Sequence, residues 1–269
     1  MNLALAAPGA IALGLFFLLP LGAIALEAGP AAYGRLLSDP LFWAGLRGSL
    51  ALSLGAAALA TLVGAGVALH LSRLPERARG AVMVAIALPL TFSGLVVAYG
   101  FILGFGRAGF ITLLLAQAGV DPAWFAGFIY GPVGLAFAYA YYLTPRVILV
   151  LLPVLVNFDR QQLQAAESLG ASRWGAIRWI LLPQVAPAVA AAAALVSAVA
   201  FGAYGTALAL VGTQLNILPL LLYAKIGESG TDFPAAAALS VVLLGMCTGL
   251  MALGELAAAR KEAVAHVPA

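Results

Sequence analysis

Long apolar runs, bounded by charged residues, glycines or prolines, recur six times along the chain. A helix that crosses the hydrocarbon core of a bilayer needs about 20 mainly apolar residues, and each run is roughly this long. None shows the alternation of polar and apolar positions that the strands of a membrane β-barrel require. The pattern therefore predicts six transmembrane helices, at 10–27, 44–71, 80–103, 130–152, 186–212 and 233–256.

The composition excludes a soluble globular protein. Of the 269 residues, 64% are hydrophobic and only 9% are charged, and the mean hydropathy is +1.08. A soluble domain is typically about one quarter charged. We expect an all-α polytopic membrane protein in three parts: a first transmembrane helix with its extracytoplasmic connection (1–43), a core with five transmembrane helices (44–256) and a cytoplasmic tail (257–269).

Basic residues in the connections predict the orientation, because short cytoplasmic loops carry an excess of Lys and Arg. One side carries four of them and the other carries eight, which predicts that both termini are cytoplasmic. Arg146 is not counted because it falls inside the fourth run. The richer side carries Arg73, Arg77, Arg79, Arg160, Arg173, Arg178, Arg260 and Lys261, and the poorer side carries Arg35, Arg47, Arg107 and Lys225.

Three other readings of the chain are disfavoured. Nucleic-acid binding would need basic residues gathered on one face, whereas these are scattered between apolar runs. A signal peptide would begin with a positively charged region, but residues 1–26 contain no Lys or Arg. The single cysteine, Cys247, has no second thiol for a disulfide or a metal site.

The connection at 153–185 predicts a helical hairpin. Asp159, with Gln162 three residues later, indicates a capping box that opens a short helix. Gly170 is placed to close this helix, and Ser172 is placed to cap a second one.

The second helix of the hairpin is predicted to be short and amphipathic. Trp174, Ile177 and Leu181 recur at helical spacing and form one apolar stripe, and Pro183 and Pro187 mark the return into the membrane. Two interpretations stay open. The helix inserts into a groove on another protein, or it lies on the bilayer surface.

The stretch Gln164-Ala-Ala-Glu-Ser-Leu-Gly-Ala-Ser172, followed by Ile180-Leu-Leu-Pro183, resembles the EAA loop of bacterial ABC importer permeases. Gln164 stands where that pattern has a glutamate, and Glu167, one helical turn later, is a candidate to supply the charge. The resemblance implies that this loop docks on a separate ATPase. The residues that it implicates are Gln164, Ala165, Ala166, Glu167, Gly170, Ala171, Ser172, Arg173, Trp174, Ile177 and Pro183.

The resemblance extends over 44–256, which is similar to the core of these permeases. Parts of the fifth run and of the segment after it resemble members that import polyamines, sulfate or molybdate, ferric iron, or thiamine. Many such members carry an acidic residue before an aromatic residue and a glycine in the fifth span, where this chain has Ala203 before Tyr204 and Gly205. The solute is therefore left open among these classes.

The resemblance implies the type I importer permease fold in a bacterial inner membrane, with this chain as the solute pathway and not an enzyme. The sequence contains no Gly-x-x-x-x-Gly-Lys-Ser/Thr loop to hold nucleotide phosphates. ATP and Mg²⁺ are therefore expected on the ATPase, and no cofactor or metal on this chain. The other expected partners are a second permease chain, identical or paralogous, an extracytoplasmic solute-binding protein and membrane lipid, but no nucleic acid.

An ion-gradient-driven secondary transporter is the alternative function. Such proteins place ionisable residues near the bilayer midplane, whereas Glu27 and Glu255 fall at the ends of apolar runs. An intramembrane enzyme is a further alternative, but His70 and His266 are too far apart in sequence to suggest a metal pair.

Polar and aromatic residues inside the runs are the candidates for the translocation pathway. Each has a structural alternative, because Ser and Thr often bond a carbonyl one turn back and Tyr often lies at the membrane interface. The candidates are Ser93 and Tyr99 in the third run, Tyr142 in the fourth, and Ser197, Tyr204 and Thr206 in the fifth.

Overall fold

The computed structural model describes residues 8–9, 11–227 and 232–265. The end of the predicted tail, residues 266–269 with His266 among them, lies outside the described residues. Within the described ranges every regular element is a helix, so the predicted all-α class is confirmed.

The helices are numbered here in chain order. Two of them contain a π-helical turn: Gly14–Leu18 in the first helix and Ile177–Leu181 in the tenth. The helices are α1 (Ile11–Glu27), α2 (Pro30–Ser38), α3 (Pro40–Leu71), α4 (Glu76–Thr91), α5 (Gly94–Phe105), α6 (Phe110–Gln117), α7 (Pro122–Ile129), α8 (Pro132–Asn157), α9 (Gln161–Ser168), α10 (Arg173–Phe201), α11 (Gly205–Val211), α12 (Leu218–Gly227) and α13 (Phe233–Ala265).

Five segments of the described chain are long and apolar enough to cross a membrane. They are α3, the α5–α6 segment Gly94–Gln117, α8, α10 and α13. A sixth is added if α1 and α2, which meet at a bend of 71°, form one broken span. The predicted runs at 44–71, 130–152 and 233–256 correspond to α3, α8 and α13, and the protein is confirmed as polytopic.

The predicted third span, 80–103, is wrong as one continuous helix. The backbone turns extended at Phe92 and Ser93, which separates α4 from α5. Pro89 lies in the last turn of α4, and the Ser93 hydroxyl accepts a hydrogen bond from the Val96 backbone N–H at 3.4 Å, so Ser93 begins a new helix. Thr91, Ser93 and Gly94 interrupt the apolar pattern only briefly, so a run of about 20 mainly apolar residues does not reveal the break.

The predicted fifth span, 186–212, also differs from the structure. It begins earlier, because α10 is continuous from Arg173, and it is interrupted after Phe201, where three residues separate α10 from α11. The interruption leaves the Ala203 backbone carbonyl without a partner within a helix. The buried Tyr139 hydroxyl donates a hydrogen bond to this carbonyl at 2.7 Å.

Contacts divide the chain into two units, which are described separately. The first consists of Met1–Ser49 with Asn216–Met246, and the second of Leu50–Leu215 with Cys247–Ala269. The three-part division that the sequence suggests stays a prediction.

The first unit joins the N-terminal segment and the start of α3 to the segment Asn216–Met246. The Leu218 backbone N–H donates a hydrogen bond to the Ser49 hydroxyl at 2.8 Å, and this bond is buried. An exposed ion pair links Arg35 with Asp232 at 3.6 Å. The start of α12 is therefore fixed against α3 within this unit.

The second unit is built around α8, which packs along α10 and also contacts α4, α5, α7 and α11. Small residues let helices approach closely where lipid provides no hydrophobic drive between them. A Cβ at Gly64 of α3 would lie 2.7 Å from Cγ1 of Val147 in α8, and a Cβ at Gly254 of α13 would overlap Ala194 of α10. The close packing that the Ala- and Gly-rich runs suggest is present at these two crossings.

Candidate coupling hairpin and translocation residues

The hairpin begins at Asp159, but the predicted capping box is only half formed. Asp159 Oδ1 accepts a hydrogen bond from the Gln161 backbone N–H at 2.9 Å. The Gln162 side chain does not complete the box. Its Oε1 accepts a hydrogen bond from Nε2 of Gln184 at 2.7 Å, which joins α9 to α10. Gln162 therefore holds the two helices of the hairpin together instead of capping the first.

The turn of the hairpin requires a glycine, as predicted. Gly170 has a φ of +90°, its N–H donates to the Glu167 carbonyl at 3.0 Å, and the Ala171 N–H donates to the Ala166 carbonyl at 3.0 Å. These two bonds form a Schellman motif. A Cβ at position 170 would meet nothing within 4 Å, so the backbone conformation and not space selects glycine.

The second helix begins where the sequence predicts, but it is not a separate short helix. The Ser172 hydroxyl accepts a hydrogen bond from the Gly175 N–H at 3.1 Å and caps α10, which continues through Pro183 and Pro187 to Phe201. The correction has a physical reason. A proline in a regular helix clashes with the carbonyl one turn before it, and the wider π turn directly before Pro183 relieves this contact.

The predicted apolar stripe on this helix is divided. Ile177 and Leu181 line a cleft against the membrane helices, whereas the Trp174 side chain is 72% exposed. The division falls between Trp174 and Ile177, before the π turn begins. Trp174 lies in the first turn of α10, next to the exposed turn of the hairpin, whereas Ile177 and Leu181 both reach the cleft.

Two exposed apolar residues of the hairpin were missed in the sequence. Leu169 at the turn is 90% exposed, and Trp179 in the π turn is 76% exposed. With Trp174 they give the hairpin an apolar exterior, which a soluble surface would not favour. Leu169 lies within the motif that the sequence matched, directly before the positive-φ residue Gly170.

Most of the predicted docking residues are accessible. The exposed ones are Gln164, Ala165, Glu167, Gly170, Ala171, Ser172, Arg173, Trp174 and Pro183, and the half-buried ones are Ala166 and Ile177. Gln164, Glu167 and Arg173 also border the cleft under the hairpin. The idea that Glu167 replaces the charge lost at Gln164 stays a prediction.

One arginine attaches the hairpin to the membrane helices. The Arg160 guanidinium donates to the Ser72 backbone carbonyl at 3.0 Å and to the Ser72 hydroxyl at 3.4 Å. Ser72 follows the end of α3, so this contact joins the start of the hairpin to the end of a helix that is distant in sequence. Spacing along the sequence gives no signal for it.

Of the six translocation candidates, Ser93 and Tyr99 are exposed. Ser93 caps α5, and the Tyr99 side chain is 56% exposed on the same helix. Their accessibility is compatible with a pathway, and the pathway role stays a prediction.

Tyr142 and Thr206 are brought together, but inside the packed core. The Tyr142 and Thr206 side chains lie close to each other, and both residues are buried. The backbone at Gly94 of α5 packs directly against Thr206, because a Cβ at this position would overlap the Thr206 hydroxyl. Tyr139, which the sequence analysis did not select, packs edge-on against Tyr142 with ring centroids 5.8 Å apart. These residues pack together beside the breaks between α4 and α5 and between α10 and α11.

The last two candidates also have partners within the protein, and their pathway role stays a prediction. Ser197 is buried, and its hydroxyl donates to the Ala193 carbonyl at 2.7 Å, which is the backbone-bonding alternative considered above. Tyr204 is half-buried in the break before α11 and is engaged in a contact of its own.

An arginine lies near the middle of α8. The half-buried Arg146 donates from Nη1 to the Tyr142 backbone carbonyl at 3.1 Å, and its guanidinium carbon lies 5.8 Å from the centre of the Tyr142 ring. In the described ranges no carboxylate forms an ion pair with it; the ion pairs found there involve Arg35 and Lys225. A cation inside a span without an anionic partner is unusual and is typically functional.

Comparison with known proteins identifies the family. The sequence profile of the binding-protein-dependent transport system inner membrane component matches residues 60–262. The chain is 28% identical over 213 residues to a chloroplastic sulfate permease of Chlamydomonas reinhardtii, with 77% of this chain and 56% of that protein aligned. It therefore spans little more than half the length of that relative.

A second relative aligns over most of its length. The chain is 30% identical over 241 residues to a putative 2-aminoethylphosphonate transport system permease of Salmonella choleraesuis, with 87% of this chain and 82% of that protein covered.

A solved structure shares the fold. A chain of a bacterial alginate ABC transporter, crystallised with an alginate pentasaccharide-bound periplasmic protein, superposes with a TM-score of 0.70 at 19% identity, over 93% of this chain and 91% of that one. The chain belongs to the family of binding-protein-dependent transport system inner membrane components, and it is an ABC importer permease.

Proposed function

We propose that this permease forms part of a solute pathway and couples it to a separate ATPase through the hairpin from Asp159 to Leu182. The observation that carries the proposal is the exposed turn. Gly170 holds a Schellman motif at the tip, and Leu169 and Trp174 present apolar surface beside it. A rigid apolar projection of this kind fits a groove on a partner.

The coupling requires the hairpin to transmit movement to the membrane helices. Two features support this requirement. The Gln162–Gln184 hydrogen bond fixes the hairpin's two helices to each other, and α10 runs without interruption from Arg173 into the membrane core. A displacement of the turn therefore moves α10 as a rigid element, which is the kind of rigid-body transition that a distant ligand can bias.

The test of coupling is the substitution Gly170→Val. Valine at a φ of +90° carries backbone strain of about 1–3 kcal/mol, so the turn should rearrange while the membrane helices still fold. We expect loss of the ATPase on co-purification and loss of solute-stimulated ATP hydrolysis in liposomes. Gly170→Asn is the matched control, because asparagine tolerates the left-handed conformation. Normal ATPase retention by the valine variant would refute the coupling proposal.

A pair of tryptophans separates docking from membrane binding. Trp174 lies next to the turn and Trp179 lies in the π turn, and their exposures are similar, at 72% and 76%. Trp174→Ala should weaken ATPase association by about 2 kcal/mol or more, the loss typical of a buried interface tryptophan. Trp179→Ala should not. Equal retention of the ATPase by both variants would favour a helix that rests on the bilayer.

The assembly that we propose includes further partners. The structurally similar alginate transporter was crystallised with a periplasmic protein, which supports an extracytoplasmic solute-binding protein here. A second permease chain, identical or paralogous, would complete the pathway. ATP and Mg²⁺ would bind the ATPase, and this chain would not be an enzyme. Membership of the family argues against the secondary-transporter alternative.

The solute that we propose is a small oxyanion. Two relatives are named for sulfate and for 2-aminoethylphosphonate, both of which carry anionic oxygens. Within this chain, Arg146 supplies a positive charge inside a span without a carboxylate partner among the described residues. Bound oxyanions are commonly recognised by arginine, whose planar guanidinium matches their geometry.

Reconstituted transporter should distinguish the solute classes. Sulfate, molybdate or a phosphonate should stimulate ATP hydrolysis, whereas a polyamine, thiamine or ferric iron should not. Arg146→Gln should reduce oxyanion transport at least tenfold but leave co-purification of the ATPase intact. Leu149→Gln, an exposed change one turn away on α8, controls for a polar substitution in the same helix. Stimulation by a cationic solute alone would exclude the oxyanion assignment without affecting the coupling proposal.

A further inference from the structure

A cleft of about 400 Å³ lies beneath the hairpin, where α3 and α8 end. Its floor is apolar. Leu69 comes from the last turn of α3, Leu155 from the last turn of α8, and Leu181 from the π turn of α10. These leucines lie at the ends of helices that are long and apolar enough to cross a membrane, so we place the cleft near the membrane interface.

The rim of the cleft is basic. Arg73, Arg160 and Arg173 border it, with Glu167 as the carboxylate among its lining residues. Arg160 is already engaged, because it donates to Ser72. Within the described ranges, Arg73 and Arg173 form no ion pair, since the salt bridges found there lie elsewhere. Two exposed arginines therefore border a shared opening without forming an ion pair, and with three arginines to one carboxylate the lining has a net positive charge.

The start of α10 adds to the positive potential at this rim. The first residues of a helix have backbone N–H groups without partners inside the helix, and they carry a partial positive charge. Ser172 accepts one of these bonds, from Gly175, which leaves the N–H groups of Arg173 and Trp174 at the helix start. The arginine side chains and the helix end thus reinforce each other.

We propose that this cleft binds an anionic phospholipid from the membrane leaflet on the hairpin's side. Its phosphate would lie between Arg73 and Arg173, and the first part of its acyl chains would cover the leucine floor. Basic pockets at the ends of transmembrane helices are suited to anionic headgroups. The apolar floor favours a lipid over a free anion, which would leave these leucines in water. The lipid would then fill the space under the hairpin and support the position of its turn. This proposal goes beyond coupling to the ATPase and does not depend on it.

The test uses the purified full-length chain in detergent, titrated with phosphatidylglycerol or phosphatidylcholine and analysed by native mass spectrometry. Wild type should retain phosphatidylglycerol in preference to phosphatidylcholine. Each basic residue near an anionic headgroup contributes enough to change binding about fivefold. Arg73→Gln with Arg173→Gln should therefore weaken phosphatidylglycerol binding about thirtyfold. Equal binding by this double variant and wild type would overturn the proposal.

Two control variants guard against indirect effects. Arg77→Gln with Arg178→Gln removes two other exposed arginines that do not line the cleft, and it should keep phosphatidylglycerol binding. Arg73→Lys with Arg173→Lys retains both charges and should keep most of the binding, which separates loss of charge from misfolding. If the lysine variant loses the lipid as fully as the glutamine variant and elutes as an aggregate, the arginines are structural and the proposal fails.

Two further measurements identify the occupant. Excess inorganic phosphate should not displace phosphatidylglycerol from wild type; displacement would show that the cleft takes free phosphate and that the lipid assignment is wrong. The complex with the ATPase should retain the lipid. Its release when the ATPase binds would show that the cleft is part of the ATPase interface, which would also overturn the proposal.

Discussion

At the scale of single residues, a polar side chain donates a hydrogen bond to a backbone carbonyl that has no partner where a helix is interrupted. Tyr139 is fully buried, and its hydroxyl reaches the Ala203 carbonyl between α10 and α11. Inside a membrane protein no water is at hand to satisfy such a carbonyl, so an interruption of a helix requires a partner of this kind. Tyr142 and Thr206 extend the same cluster. Tyr142 and Thr206, two of the residues that the sequence suggested for a pathway, therefore lie beside a helix break, and their pathway role stays a prediction.

Tyr139→Phe tests this interpretation. It removes the hydroxyl and leaves the Ala203 carbonyl without its donor, while the ring still fills its space. Hydrogen bonds in membrane proteins contribute about 0.6 kcal/mol on average and at most about 1.7, and a buried unpaired carbonyl raises the cost. We expect the free energy of unfolding to fall by about 1 kcal/mol, measured by thermal unfolding of the purified chain in detergent.

Tyr141→Phe is the control for this substitution. The Tyr141 side chain is 51% exposed and belongs to the same helix. Loss of its hydroxyl should change stability little. An equal loss of stability in both variants would contradict the role of the Tyr139 hydroxyl in pairing the Ala203 carbonyl.

At the scale of elements, the sequence predicts helices well where a local signal marks their ends. The hairpin shows this, because Ser172 and Gly170 act through short-range backbone bonds that depend only on their neighbours. A helix cap and a glycine with a positive φ can therefore be predicted from the sequence. The same holds for α3, α8 and α13, whose long apolar stretches match the membrane thickness.

The elements that the sequence misplaced depend on interactions between distant segments. The break at Ser93 occurs inside a mainly apolar run, and the adjacent Gly94 packs against Thr206 of α11. A π turn precedes Pro183 and lets α10 continue through it, which a period of 3.6 residues does not anticipate. Arg160 meets Ser72 across 88 residues. No local pattern encodes such contacts.

At the scale of the whole chain, the number of spans decides on which side each loop lies. The number of spans depends on the helix pair α1 and α2. The bend of 71° between them is compatible with one broken span or with a re-entrant loop. The orientation inferred from eight basic residues against four places Ser38 outside and the hairpin inside. Only the side of the N-terminus differs between five spans and six.

Single cysteines, introduced where Cys247 is replaced by Ala, resolve both questions. An impermeant thiol reagent added to intact cells should label Ser38→Cys and should not label Leu169→Cys, whose parent residue is 90% exposed and so would react readily if it faced outward. Gly9→Cys then reports on α1. It should be protected if α1 and α2 form one span, and it should react if they form a re-entrant loop. Detergent permeabilisation should expose all three, which shows that protection reflects the membrane and not packing. Labelling at 169 with protection at 38 would reverse the orientation, and a hairpin outside the cell could not reach an ATPase.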